Sequence, residues 1–174
     1  MQICRDINYR HGVSVLLNNL GIVTERQGDN LAAWAYLQEG LALGRIIGNR
    51  RSNAHCLANM VFVGLKLEQK AESWNALREA IILGRTIGDT TLMPHLLAGA
   101  ARLYLFSGKR EFSAQLTGLV ASLPTLDLDF LKIRLEPLQA DLQNMLSAED
   151  YAKHTQNGTD LDLGVVLEEL LNPA

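Results

Sequence analysis

Apolar residues recur along this chain at the spacing of a single helical face. Val13, Leu16, Leu17, Leu20 and Val23 form the first such stripe, occupying the i, i+3, i+4, i+7 positions that share a side at 3.6 residues per turn. The stripe runs into "RQGD", where Gly28 suits a left-handed helix stop and Asp29 the N-cap of a following helix. Leu31, Trp34, Ala35, Leu37, Leu41 and Ile47 then mark a second, longer helix. The pattern predicts a helical hairpin. Gly21, Gly40 and Gly44 lie inside it, each at a propensity cost of about 1 kcal/mol relative to alanine, which small residues repay where helices approach closely.

The hairpin is repeated. "LALGRIIGNRR" at residues 41–51 returns as "IILGRTIGDTT" at 81–91, and Arg5, Arg45 and Arg85 are equally spaced, each followed by Ile7, Ile47 or Ile87. A shift of forty also pairs Leu17 with Leu57 and Leu97, Asn19 with Asn59, and Trp34 with Trp74 and Ala114. A fixed period in this range marks a solenoid, whose units bury their apolar faces by stacking on neighbours. The second unit has a helix from about Asn53 to Leu67, the turn "EQKAE" and a helix up to Ile87. The third has a helix from about Met93 with Pro94 in its first turn, the turn "SGKRE" and a shorter helix ending at "SLPTL". The expected organisation is an all-α solenoid. Residues 1–11 are the end of a truncated repeat, 12–51, 52–91 and 92–124 are repeats, and 125–174 form a helical cap. In the cap a helix over about Asp127–Leu146 is disturbed at Pro137, a short helix is capped by Ser147 in "SAED", and "LGVVLEELL" is a last amphipathic helix. Because residues 1–11 match only the end of a repeat, the chain reads as a C-terminal piece of something longer, the alternative being a short protein starting at Met1.

"LNNLGIVTERQGDNLAAWAYLQEGLALGRIIGN" resembles a tetratricopeptide repeat, with Leu20-Gly21 at the family's Leu-Gly pair, Gly28 at its turn and Ala35 near its small second-helix position. The longer spacing, together with "AQLTGLVASLP" and the tail "LSAEDYAKHTQNGTDLDLGVVLEELL", is similar to the C-terminal regions of large bacterial signal-transduction ATPases and of LuxR-type or MalT-like regulators. The resemblance implies a right-handed superhelix of antiparallel hairpins, whose first helices line a concave groove. It implies a protein or peptide partner, or other domains of a parent chain, and a role in sensing and regulation.

Composition narrows the chemistry. The chain has 174 residues, is 48% hydrophobic and carries a net charge of −3, which gives no electrostatic draw toward nucleic acid. Cys4 and Cys56 form no CxxC motif and have no spaced histidine ligands, so neither a disulfide framework nor a zinc site is expected. There is no basic-then-apolar leader and no run of about 18 apolar residues; the expected setting is cytoplasmic, without membrane contact. Asn157-Gly158-Thr159 fits a glycosylation pattern but reads as a glycine turn after a helix. No phosphate loop and no nucleophile elbow occurs, and His55 and Cys56 are about 100° apart on their helix. Glu168, Glu169, Asp160 and Asp162 read as solvated helix-end charges, Trp34 and Trp74 as packing residues. A non-catalytic module without cofactor or metal is expected.

By the family's register the groove positions are Val15, His55 and His95, then Asn19, Asn59 and Gly99, then Ile22, Phe62 and Arg102, with Glu25, Arg26, Leu65, Lys66, Leu105 and Phe106 in the next turn. The expected partner-contacting set is Val15, Asn19, Ile22, Arg26, His55, Asn59, Phe62, Lys66, His95 and Arg102. Basic residues needed to grip a peptide carboxylate are missing, and the asparagines stay open between binding an extended ligand and satisfying nearby backbone. His55 and His95 would make binding pH-dependent. Two other classes stay open: self-association through the truncated N-terminal edge at Ile3, Ile7, Val13 and Leu16, and an all-α enzyme.

Overall fold

A computed structural model describes residues 10–124 and 128–172. The described residues are helical throughout, with no strand among them. The expectations for Ile3, Cys4, Arg5, Ile7 and Asp127 lie outside the described residues. The chain divides into two compact units, with the boundary at Thr90/Thr91, and the third hairpin falls in the second of them.

In the first unit, α1 (Arg10–Arg26) pairs with α2 (Asn30–Ile46), and α3 (Arg50–Lys66) pairs with α4 (Lys70–Ile87). The hairpins stack because α3 also packs on α2 and on α1. Local chemistry fixes the joints. Gly28 and Gly48 adopt φ of +89° and +70°, a left-handed conformation that costs other residues about 1 kcal/mol. Asp29 then accepts the amide of Ala32 at 3.0 Å, and Asn49 that of Ser52 at 3.1 Å, so each helix starts on a side-chain cap. Through Asn49, α3 begins at Arg50, earlier than the hydrophobic stripe at Asn53 indicates. The turn between α3 and α4 has the same shape with Glu68 at φ +60°, a strained non-glycine residue at the position of Gly28 one period earlier.

Contact between layers explains the glycines inside α2. A Cβ on Gly40 would lie 3.2 Å from both Cys56 Sγ and Leu17 Cβ, and one on Gly44 would meet the side-chain amide of Asn53. Buried beside them, the Ser14 hydroxyl donates to Gly40 O (3.1 Å) and shares a 2.7 Å bond with Ser52 Oγ. One polar knot thus ties α1, α2 and α3 inside a core of Leu17, Leu37, Leu77 and Ile81, all fully buried.

In the second unit, a 3-10 turn at Thr90–Leu92 leads into α5 (Met93–Phe106), which pairs with α6 (Arg110–Ser122). α7 (Leu128–Met145) packs on both and runs through Pro137 without a break, where the sequence suggests a disturbance. α8 (Ala148–Thr159) starts on Ser147, whose Oγ accepts the Asp150 amide at 3.0 Å, and it packs mainly against α6. The crossing is a backbone contact: Gly118 of α6 faces Thr155 and Gly158 of α8 faces Gln115. Gly158 therefore lies buried inside a helix and not in a turn. A last helix, α9 (Leu163–Leu171), is capped by Asp162 on Val165 N at 2.9 Å and buries Val166, Leu167 and Leu170. Among the described residues no helix is long and apolar enough to cross a membrane.

Candidate functional site

The N-terminal halves of α1 and α3 frame a cleft of about 380 Å³ lined by Val15, Asn18, Asn19, Asn49, Arg51, Ser52 and His55. Three of these, Val15, Asn19 and His55, belong to the partner-contacting set expected from the sequence. α1 supplies Val15 and Asn19 from exposed positions one turn apart. Asn49 reaches the cleft because it caps α3: its Oδ1 is taken by Ser52 N, which leaves its amide nitrogen as a donor.

Asn18 and Asn59 are built differently from what the forty-residue shift implies. Asn19 is exposed, whereas its sequence equivalent Asn59 is 6% exposed. The Asn59 amide nitrogen donates to Asn18 Oδ1 at 3.0 Å and to the His55 carbonyl at 3.1 Å. The buried pair fixes Asn18 beside the cleft and serves the fold rather than presenting Asn59 to a ligand. Phe62 and Leu65, 8% exposed each, and Glu25, 2% exposed, are likewise inside. For Asn59, Phe62 and Leu65 the reason is that α3 is covered by α1, α2 and α4, while among the described residues α1 packs on α2 and α3; equal repeat positions are not equally solvated.

Two of the lining residues meet a buried acid. Asp89, its side chain 7% exposed, lies 3.2 Å from Arg51 Nε and 3.6 Å from His55 Nε2. Arg51 approaches it with Nε, and its side chain is 71% exposed. Burial holds the His55 pKa below its ordinary 6.5, the attraction of Asp89 opposing this and Arg51 adding to it. His55 is thus neutral at pH 7. Its folded pKa is depressed, so its contribution to stability is present above pH 6.5 and is lost as pH falls and the unfolded chain takes up the proton first. The melting temperature of the wild type should therefore fall more steeply between about pH 7 and pH 5 than that of His55→Gln; parallel curves would contradict the assignment.

The remaining expected residues lie elsewhere. Ile22 is half-buried and Arg26 exposed on α1. Lys66, 48% exposed, reaches back to Glu25 Oε1 at 2.8 Å. His95 and Arg102 belong to α5 in the second unit, where Arg102 is ion-paired with Asp141 of α7. Sequence reasoning missed Asn18, Asn49, Arg51 and Asp89. Asn49 and Asp89 were legible in principle, since each follows the left-handed glycine of "LGRxIG".

A second cleft in the first unit, of about 370 Å³, is lined by α2 and α4, including Trp34, and by Leu57 and Met60 of α3. Arg45, which the sequence places as a helix-end charge, also bonds both oxygens of Glu79 at 2.7 Å there. Cys56 is fully buried, and its thiol pKa is pushed up to about 11 by that burial. Among the described residues no three His, Cys, Asp or Glu side chains are grouped to hold a metal ion. The amides of Asn18, Asn19 and Asn49 and the Arg51 guanidinium bring donors to the α1/α3 cleft around one apolar side chain, Val15, while the neutral His55 ring turns Nε2 toward Asp89. Such a surface suits the carbonyl groups of an extended backbone. No protein-family model, curated protein or solved structure matches this chain.

Proposed function

We propose that the chain is a non-catalytic interaction module of tetratricopeptide-like hairpins, in which the α1/α3 cleft holds an extended segment of a protein partner. The observation that carries this reading is the set of amide and guanidinium donors from two successive first helices around one cleft. Rigid helices hold the backbone positions of these donors in place before binding, so the ordering cost is confined to the side chains themselves. The resemblance of the repeats and tail to bacterial signalling ATPases and LuxR-type regulators extends the proposal to a regulatory role within a larger protein, where the partner is another domain or an effector protein.

The test follows from exposure. Asn19→Ala with Arg51→Ala removes two donors from solvent-facing positions, whereas Asn59→Ala or Phe62→Ala would disturb the core. Affinity capture from source-cell lysate with the wild type and the double variant, matched in helicity, should retain a protein on the first that is lost from the second. Identical captured sets would overturn the assignment of the cleft.

A further inference from the structure

Trp34 and Trp74 stand one period apart, at the same place on α2 and α4, but they keep different company. The Arg78 guanidinium, four residues after Trp74, lies over that ring at 5.7 Å from its centroid. Four residues after Trp34 the chain has the neutral Gln38, and among the described residues no cation lies over the Trp34 ring. Trp34 and Gln38 instead line the α2/α4 cleft. The second helices of successive hairpins run parallel, so Glu72, in the first turn of α4, stands near the same end of the cleft as Trp34. Glu72 is exposed and has no ion-pair partner among the described residues. The cation that the cleft does hold is engaged elsewhere: Arg45 lies eleven residues beyond Trp34 (45 − 34 = 11), about 16 Å along the helix axis, and bonds both oxygens of Glu79. One cation thus faces two carboxylates.

We propose that the α2/α4 cleft is a second binding site, which takes an arginine side chain of a protein partner, its guanidinium at the Trp34 ring and the Glu72 carboxylate. Three observations select this occupant. The equivalent tryptophan already carries a guanidinium, so the ring at this register accepts one. The excess carboxylate supplies the complementary charge, and a planar guanidinium can lie on a ring while its edge donates to a carboxylate, which an ammonium cannot do. The cleft is also lined by the buried apolar side chains of Leu41, Leu57 and Met60, which suit the methylene stem of arginine. Gln38 and Asn75, each with a donor and an acceptor, stand on the rim for the backbone on either side of that arginine. The site shares no lining residue with the α1/α3 cleft, so it stands or falls by itself.

The probe is the capped peptide acetyl-Ala-Ala-Arg-Ala-Ala-amide, titrated into the isotope-labelled full chain while the two indole N–H signals, assigned with Trp34→Phe, are followed by NMR. The Trp34 signal should shift saturably, with the millimolar affinity of a single anchored side chain, and the Trp74 signal should stay in place. The same peptide with citrulline, the neutral isostere of arginine, should bind about tenfold more weakly or not at all. Glu72→Gln should weaken the arginine peptide in the same way. Gln38→Arg is the decisive variant, because it sets a guanidinium four residues after Trp34 as the chain itself does at Trp74. It should fill the site from within and abolish the peptide's shift without lowering the melting temperature. Equal binding of the arginine and citrulline peptides overturns the proposal, as does a shift that survives Glu72→Gln and Gln38→Arg, or the absence of any saturable shift. So does ethylguanidinium binding as tightly as the peptide, because the occupant is then a free small cation.

Discussion

Gly158→Ala is expected to destabilise the second unit by about 3 kcal/mol or more, an unusually large effect for adding one methyl group. The methyl would point into the backbone of α6, 2.7 Å from the carbonyl carbon of Gln115 and nearer still to its oxygen. A side chain could rotate away; a helical carbonyl cannot, since its position is set by the hydrogen bonds of its own helix. The substitution gains about 1 kcal/mol of helix propensity and still loses, because α6 and α8 must separate along the crossing that closes this unit. Gly118→Ala should act the same way, its methyl meeting Thr155 C at 2.8 Å. Since both changes open one contact, the double variant should cost clearly less than the sum of the singles. Denaturant unfolding of the three variants checks this, and a single variant as stable as the wild type would refute the crossing.

That crossing also shows where sequence stops. A glycine has two uses, a positive φ or the absence of a Cβ. The first leaves local signs: Gly28, Gly48, Gly88 and Gly108 each sit after an apolar stripe, and all have φ between +66° and +89°. The second is defined by a partner far along the chain. "NGT" reads as a turn because Asn-Gly usually is one, and nothing near residue 158 announces Gln115. The helices themselves were legible to within a few residues, since their stripes and caps are local. Exposure was not. Asn19 and Asn59 are identical in type and register, yet one faces solvent and the other bonds Asn18 across two helices. The part of the candidate cleft contributed by Val15, Asn19 and His55 came from register alone; Asn18 and Arg51 came from contacts that register does not encode.

Lys66 illustrates the same distinction and gives a second large effect. Its register places it among groove residues, but its ammonium lies 2.8 Å from Glu25 Oε1, and the Glu25 side chain is 1% exposed. Lys66→Met is therefore expected to cost about 2–3 kcal/mol. The pair itself is not the source of that figure, because half of the lysine is in water and an ion pair there is worth little. The cost arises on the other side: without the ammonium, a carboxylate held between α1 and α3 loses a counter-charge it cannot replace from solvent. Further interactions of Glu25 keep the effect below the extreme for a buried charge. The sign of the compensation is the decisive measurement. Adding Glu25→Gln to Lys66→Met should recover most of the lost stability, as removing the stranded charge removes its penalty. If the double variant is instead less stable than Lys66→Met alone, the carboxylate is held by its other contacts, and Lys66 is available to a ligand in the way its register implies.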